Sequence, residues 1–117
     1  MSRDPSCLFC RIVHKEHPAQ ILHQDDQVTA FRDSNPQAPT HLLVVPNQHI
    51  RGVAELGEEQ GPLLGRMIQV ANELARREGI TTHGYRLVFN VGREAGQSIY
   101  HLHLHLLGGR PMRWPPG

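Results

Sequence analysis

The stretch His101-Leu102-His103-Leu104-His105-Leu106-Leu107-Gly108-Gly109 decides the fold of this chain. Successive side chains of a β-strand point to opposite faces, so the three histidines share one face and Leu102, Leu104 and Leu106 share the other. We expect the leucine face to be buried, which leaves the imidazole face on the wall of a cleft. Because imidazole can act as a nucleophile, a proton shuttle or a metal ligand near neutral pH, this face predicts a functional site.

Size and charge narrow the class of protein. The chain has 117 residues, enough for one domain spanning residues 1–117 and too few for two. A formal net charge of +1 gives no electrostatic reason to expect a nucleic-acid or membrane-surface partner. No apolar run approaches the roughly 20 residues of a membrane span, and residues 1–5 lack the apolar stretch of a signal peptide. We therefore expect a cytoplasmic protein that binds neither nucleic acid nor membranes.

Hydrophobic periodicity predicts a short helix, three strands, a long helix and two further strands. The short helix covers residues 7–15 and is ended by Pro18, and an apolar stripe predicts the long helix over residues 60–78, stopped by Gly79. The predicted strands are residues 21–23, 27–32, 41–45, 84–90 and a histidine strand beginning near residue 97 or 98. Short connections favour antiparallel pairing, so we predict an α+β domain with a five-stranded antiparallel sheet and both helices on one face.

The segment directly before the histidines favours an anion such as phosphate. Gly96 permits close backbone approach, while the carboxamide of Gln97 and the hydroxyl of Ser98 are neutral hydrogen-bond donors. The residues alone leave two possibilities open. One is a zinc site with three histidine ligands and an open fourth position, and the other is catalysis by histidine itself.

At this point the chain resembles a known family. His101 to Leu107 resembles the His-x-His-x-His-x-x signature of the histidine triad proteins, in which each x is apolar. Four other segments resemble the nucleotide-binding branch of that family, which is known for purine nucleoside phosphoramidases, and they agree in order and spacing. These segments are residues 31–33, 36–41 and 96–98 and the terminal Trp114-Pro115-Pro116-Gly117. The resemblance implies the histidine triad fold.

The resemblance also implies a reaction and its catalytic residues. His103 would attack the α-phosphorus of a nucleoside 5′-phosphoramidate to form a covalent nucleotidyl-histidine, which water then hydrolyses. His105 would donate a hydrogen bond to a phosphate oxygen or to the leaving group. His41 would support the orientation of the triad, which His101 completes. No cofactor is implied for this chemistry.

The purine nucleotide has an implied site in the same match. Phe31 would wall the purine, Asp33 would bind the ribose hydroxyls, and Ser34 occupies a position where an apolar residue is usual. The glycine, carboxamide and hydroxyl before the triad would hold the phosphate and the leaving-group side. The complete implied set is Phe31, Asp33, Ser34, Asn90, Gly96, Gln97, Ser98, His103 and His105.

The pair Cys7 and Cys10 suggests a second site. Cysteines separated by two residues can hold zinc, and two histidines would complete a tetrahedral set. Some members of the wider superfamily are similar in pairing such cysteines with histidines that match His49 and His101, which would give this chain a structural zinc. The alternative is that both cysteines are small core residues. The histidines that match nothing are expected to be solvated, and they are His14, His17, His23 and His83.

The tail bears on assembly. The resemblance implies a homodimer in which residues 107–117 lie at a two-fold interface, with Trp114 near the partner's site.

Three alternatives to a phosphoramidase stay open at this point: a purine nucleotide-binding or scaffolding protein with incidental hydrolysis, a related enzyme that acts on dinucleoside polyphosphates or transfers nucleotides, and a zinc hydrolase that uses all three triad histidines.

Overall fold

Five antiparallel strands form one sheet in the computed structural model, which describes residues 3–117. In chain order they are β1 (Ile21–Gln24), β2 (Val28–Arg32), β3 (Thr40–Pro46), β4 (Tyr85–Val88) and β5 (Leu104–Gly108). Their spatial order is β1-β2-β3-β5-β4, so β3 and β5 lie side by side inside the sheet. The predicted five-stranded antiparallel sheet is confirmed. The first two residues of the predicted domain, 1–117, lie outside the described residues.

The long helix, α2 (Gly61–Arg77), covers one face of the sheet. Its buried side chains recur at helical spacing, and they pack on the alternate residues of the central strands, such as Leu42, Val44 and Leu104. Pro62 lies in the first turn, where a missing N–H is tolerated, and two arginines lie in the last turn near the negative end of the helix dipole. The observed ends differ by one residue from the predicted range of 60–78.

The short helix, α1 (Leu8–Val13), covers the opposite face. Phe9 and its neighbours on α1 pack on Phe31, Leu43 and Val45, which alternate with the residues beneath α2. The prediction that both helices share one face is therefore wrong. Its physical cause is visible in residues 42–45 of β3, a continuous apolar run of the kind found in strands that are buried on both faces.

Two element boundaries also correct the predictions. Helix α1 ends at Val13, and Lys15 adopts φ +60°, so the chain leaves the helix before Pro18. Strand β4 ends at Val88, two residues earlier than predicted.

The histidine strand is shorter than predicted. It begins at Leu104 because the preceding segment bonds elsewhere: the Leu102 amide donates to the Ile50 carbonyl and the Gln97 amide donates to the Gly92 carbonyl. The alternation of side chains nevertheless extends through the segment, since Leu102, Leu104 and Leu106 are all buried in the core. In the part of the chain that is described, no helix has both the length and the apolar character needed to span a membrane.

Candidate active site and metal site

His103 presents one bare ring nitrogen. Its Nδ1 lies 2.7 Å from the backbone carbonyl oxygen of His101, and since a carbonyl only accepts, Nδ1 must carry the proton. In the neutral ring Nε2 then carries a lone pair. The edge-on ring of Phe9, with its centroid 5.2 Å from that of His103, closes one side. Burial lowers the pKa of His103, so the neutral, nucleophilic form is favoured at physiological pH.

His41 and His105 are joined across the central strand pair. Nε2 of His41 lies 2.9 Å from Nδ1 of His105, and the Gln37 amide donates to Nδ1 of His41 over 3.0 Å. Because Nδ1 of His41 accepts, its proton is on Nε2 and is donated to His105, with the Asp33 carboxylate 3.4 Å away as a second acceptor. His105 consequently carries its own proton on Nε2, an atom that is buried and has no hydrogen-bond partner within residues 3–117.

The charged forms of these rings are disfavoured. Burial, followed by the proximity of His103 and His41, lowers the pKa of His105 to about 4. Burial also lowers the pKa of His41, although the Asp33 carboxylate opposes that shift. The ring centroids of His103 and His105 are 5.0 Å apart. The site therefore pairs a neutral nucleophile with a neutral hydrogen-bond donor.

A cavity of about 380 Å³ is lined by Phe9, which contacts His103, and by Asp33, whose carboxylate lies 3.4 Å from Nε2 of His41. None of the three triad histidines is among its lining residues. Of the predicted nucleotide-binding residues, Phe31, Asp33 and Ser34 all line it. Its other walls come from α1, the segment that follows α1, strands β2 and β3, and the segment before the histidines. The residues are Leu8, Phe9, Ile12, His17, Pro18, Ala19, Gln20, Arg32, Leu43 and Ile99. A mainly apolar cavity with a carboxylate at one side has the character of a site for a flat base joined to a sugar.

The residues predicted to hold the phosphate lie in the loop that follows β4, and they do not line this cavity. Gln97 is buried and its amide hydrogens go to the carbonyls of Arg51 and Ile99, while its Oε1 accepts from the Gly92 amide, so its side chain holds the loop together. Gly96 adopts φ +94° in the turn that precedes it. Ser98 is exposed on a groove shared with Arg51, and Asn90 is half-buried just beyond β4.

The four predicted metal ligands converge, and they include His101, the first histidine of the triad. The donor atoms of Cys7, Cys10, His49 and His101 all lie within 4.8 Å of one another. Nδ1 of His101 is 3.3 Å from Sγ of Cys7 and 3.2 Å from Nδ1 of His49, and Sγ of Cys10 is 3.4 Å from Nδ1 of His49. Tetrahedral zinc with bonds of about 2.0–2.3 Å requires ligand separations of about 3.3–3.8 Å, so the set is close to the required size.

The tautomer of His101 suits a metal. Its Nε2 donates to the Pro46 carbonyl over 2.8 Å, which leaves a lone pair on Nδ1 among the sulfur atoms. Burial lowers the pKa of His101 to about 4 and raises the pKa of the Cys10 thiol. Two thiols and two imidazoles are the donors that zinc prefers, so these residues fit that ion.

Two of the four histidines that were expected to be solvated are not. His23 is half-buried and its Nε2 lies 2.7 Å from the Asp25 carboxylate, which also accepts from Arg66 of α2. Nε2 of His14 is buried. His17 and His83 are exposed, in agreement with the prediction.

Sequence reasoning missed Phe9 and Gln37. Phe9 touches both His101 and His103 edge-on and lines the apolar cavity. Its place between the two cysteines could have marked it as part of the site. Gln37 acts through its backbone amide, for which a sequence carries no signal.

Comparison with known proteins places the chain in a family. Residues 6–113 match a family model described as "Scavenger mRNA decapping enzyme C-term binding". The purine nucleoside phosphoramidase of Escherichia coli K12 is 52% identical over 105 residues, which cover 90% of this chain and 88% of the relative.

Solved structures agree. A HIT family hydrolase from Legionella pneumophila superposes with a TM-score of 0.94 at 50% identity, covering 96% of this chain and 100% of that one. A HIT family hydrolase from Clostridium thermocellum gives a TM-score of 0.91 at 43% identity, covering 94% and 96%. The resemblance drawn from the histidine motif is confirmed, and the chain belongs to the histidine triad (HIT) family.

Proposed function

We propose that this chain hydrolyses purine nucleoside 5′-phosphoramidates, AMP-amines among them, through a covalent nucleotidyl-histidine. The observation that carries the proposal is the complementary protonation of two neighbouring rings. His103 offers an Nε2 lone pair and His105 offers an Nε2 proton, and the Phe9 ring that contacts His103 also lines an apolar cavity. The likeness to the phosphoramidase of E. coli supports the choice of substrate.

The reaction proceeds in two displacements at phosphorus. Nε2 of His103 attacks the α-phosphorus and the P–N bond breaks, while the nitrogen takes a proton from solvent and leaves as an amine. The Nε2–H of His105 donates a hydrogen bond where negative charge develops, on a phosphate oxygen or on the departing nitrogen. Water then attacks the phosphorus, the bond to Nε2 of His103 breaks, and a proton returns to solvent, which releases the nucleoside monophosphate and restores His103. Dividing the reaction in this way makes each step easier than direct attack by water.

The nucleoside is held on the apolar side. Phe31 and Ser34 line the cavity for the purine, and the carboxylate of Asp33 accepts from the ribose hydroxyls. Asn90, Gly96, Gln97 and Ser98 stay candidates for the phosphate and leaving-group side. The side chain of Gln97 takes part by holding the loop, because its amide hydrogens are already donated to backbone carbonyls.

A labelled substrate tests this function. Adenosine 5′-phosphoramidate carrying a fluorescent amine is incubated in EDTA with the unaltered chain, with His103→Ala and with His83→Ala, which alters an exposed histidine. We expect amine release by the unaltered chain and by His83→Ala. His103→Ala should release none while still binding AMP in a calorimetric titration. Failure of the unaltered chain to release amine while it binds AMP contradicts the proposal and favours a nucleotide-binding or scaffolding protein.

The same assay distinguishes a phosphoramidase from a zinc hydrolase and from a polyphosphate hydrolase. Loss of activity in EDTA favours a zinc hydrolase that uses the triad histidines. Faster hydrolysis of a dinucleoside polyphosphate than of the phosphoramidate favours the related polyphosphate activity.

We also propose a structural zinc held by Cys7, Cys10, His49 and His101. The converging donor atoms and the lone pair on Nδ1 of His101 support it. Bound zinc would cross-link α1 to the segment that leads into β5, and the chemistry at His103 needs no cofactor. Elemental analysis of the purified chain should find one zinc per chain, and Cys10→Ser should lower that content. Equal zinc in the variant and the unaltered chain contradicts the site.

We further propose that residues 1–117 form one domain that pairs as a homodimer, with residues 107–117 at the interface. Two features support pairing: β4 lies at the end of the strand order, and Trp114 is 83% exposed. Light scattering at micromolar concentration should give twice the mass of the chain, and a monomer contradicts the proposal. A cytoplasmic location and the lack of nucleic-acid and membrane partners stay predictions, to be tested by cell fractionation and binding assays.

A further inference from the structure

One backbone amide helps to set the direction of hydrogen bonding between His41 and His105. The Gln37 N–H donates to Nδ1 of His41, and His41 then donates from Nε2 to Nδ1 of His105. An amide N–H cannot accept, so as long as this bond is kept His41 must hold its proton on Nε2. The proton on Nε2 of His105 is therefore set by two groups that act through His41, which are the Gln37 amide at Nδ1 and the Asp33 carboxylate 3.4 Å from Nε2.

Without that amide only the Asp33 carboxylate, 3.4 Å from Nε2 of His41, would favour this direction, and part of the population could reverse it. His41 could then hold its proton on Nδ1 and accept at Nε2 from an Nδ1–H of His105. His105 would in that case present a lone pair at Nε2 in place of a proton, and it could no longer donate to the leaving nitrogen. The same two ring nitrogens are hydrogen-bonded in both arrangements, but the donor and the acceptor are exchanged. Only the first arrangement leaves a proton on Nε2 of His105.

Gln37 lies in the irregular loop before β3, so no strand or helix hydrogen bonds fix the direction of its backbone amide. Nε and Nη2 of Arg110 both donate to the Gln37 carbonyl oxygen, at 3.2 and 3.0 Å, and Nη1 of Arg110 donates to the Pro111 carbonyl at 3.1 Å. Next to Arg110, Gly109 adopts φ +88° and lies so close to Pro39 that an added Cβ would be 2.8 Å from the Cβ of Pro39. The segment after β5 therefore grips the loop at two points.

We propose that Arg110 is a positioning residue for the leaving-group step: by holding the Gln37 carbonyl it aims the Gln37 amide at His41 and so keeps His105 in the tautomer that donates from Nε2. The inference rests on the proposed function for its kinetic consequence. The amide and the carbonyl of Gln37 belong to the two planar peptide groups that flank its Cα, and these are joined by two soft dihedrals. Anchoring the carbonyl at Arg110 therefore removes part of the freedom with which the amide could turn away from His41. A planar guanidinium can direct two N–H groups to one oxygen, whereas a lysine ammonium offers a single point charge.

Kinetics with two leaving groups test the proposal. The substrates are adenosine 5′-phosphoramidates of an alkylamine, a poor leaving group, and of p-nitroaniline, a good one. Hydrogen-bond donation matters most for the poor leaving group, and general-acid contributions are about 10²–10⁴-fold. We expect Arg110→Gln to lower kcat about tenfold for the alkylamine, with KM and the p-nitroanilide rate little changed. Arg110→Lys should recover part of the loss, and Arg76→Gln, which removes an exposed charge from α2, should change neither rate.

A spectroscopic readout separates the role of Arg110 from the proposed function. Two-bond ¹H–¹⁵N correlations of the imidazoles should show the Nε2–H form at His41 and His105 in the unaltered chain, and a mixture with the Nδ1–H form in Arg110→Gln. If the unaltered chain turns over neither substrate, the proposed function fails and the spectra still decide the role of Arg110. Unchanged tautomers in Arg110→Gln, or equal losses of rate for both leaving groups, overturn the proposal.

Discussion

The backbone carbonyl of His101 lies 2.7 Å from Nδ1 of His103, so one histidine sets the tautomer of the next. Nδ1 of the His101 ring lies next to the sulfur atoms of Cys7 and Cys10. The same residue therefore connects the candidate metal site to the candidate nucleophile. A change at the sulfur cluster is expected to reach His103 through the peptide group of His101.

A chelator should destabilise the chain in proportion to the metal it removes. Because a metal that binds the folded state raises its stability, a strong chelator is expected to lower Tm by several degrees. Differential scanning calorimetry with and without the chelator measures this shift. Cys10→Ser should have the lower Tm from the outset and respond little to the chelator. An equal response of the variant and the unaltered chain argues against a bound metal at these residues.

The free energy of unfolding should decrease as the pH is lowered through the range in which His105 titrates. Its pKa is about 4 in the folded chain, against about 6.5 when unfolded, so the unfolded state binds more protons between these values. The stability is therefore fully present above pH 6.5 and is lost as the pH falls toward 4, with a slope of at most about 1.4 kcal/mol per pH unit from this group. The groups that face it are His103, His41 and Asp33.

Urea unfolding at several pH values tests this prediction. Between pH 6.5 and 4, His105→Gln should show a shallower decline of the free energy of unfolding than the unaltered chain. Parallel declines in the two proteins exclude His105 as a source of the pH dependence.

Phe9 should be a principal packing residue of the site. Its side chain is 4% exposed and contacts Phe31, His101 and His103 edge-on, so Phe9→Ala leaves a cavity and is expected to cost about 3–5 kcal/mol of stability. Chemical denaturation gives this value. Val91→Ala, at a side chain that is 45% exposed, serves as the control and should cost far less. Similar losses in both variants contradict the packing role.

Two glycines should respond in opposite directions to alanine. Gly109→Ala places a Cβ 2.8 Å from Pro39 at φ +88°, so we expect a loss of about 1–3 kcal/mol. Gly65 lies inside α2 with open space around its Cα, and Gly65→Ala should raise stability by about 0.5–1 kcal/mol. Thermal unfolding of both variants measures the difference. If Gly109→Ala leaves stability unchanged, that result argues against the close contact between Gly109 and Pro39.

Local periodicity explains which predictions about the fold were correct. The alternation of histidine and leucine is a property of neighbouring residues, so the buried leucine face could be predicted without knowing what covers it. The apolar stripe of α2 could be predicted for the same reason, because 3.6 residues per turn bring residues three and four positions apart onto one face of the helix. The side of the sheet on which α1 packs depends on the path of the chain between elements, and that prediction was wrong.

The sequence by itself determined the histidine face, the antiparallel sheet and the family, because these depend on residue type and short-range spacing. Only the tertiary structure decided which atoms meet. The fold brings Cys7 and Cys10 close to His49 and His101. It also places the side-chain amide of Gln97 where it donates to backbone carbonyls, and the backbone amide of Gln37 where it donates to His41. Every residue but proline has a backbone N–H, so its partner is chosen by the folded path of the chain and leaves no mark in the sequence.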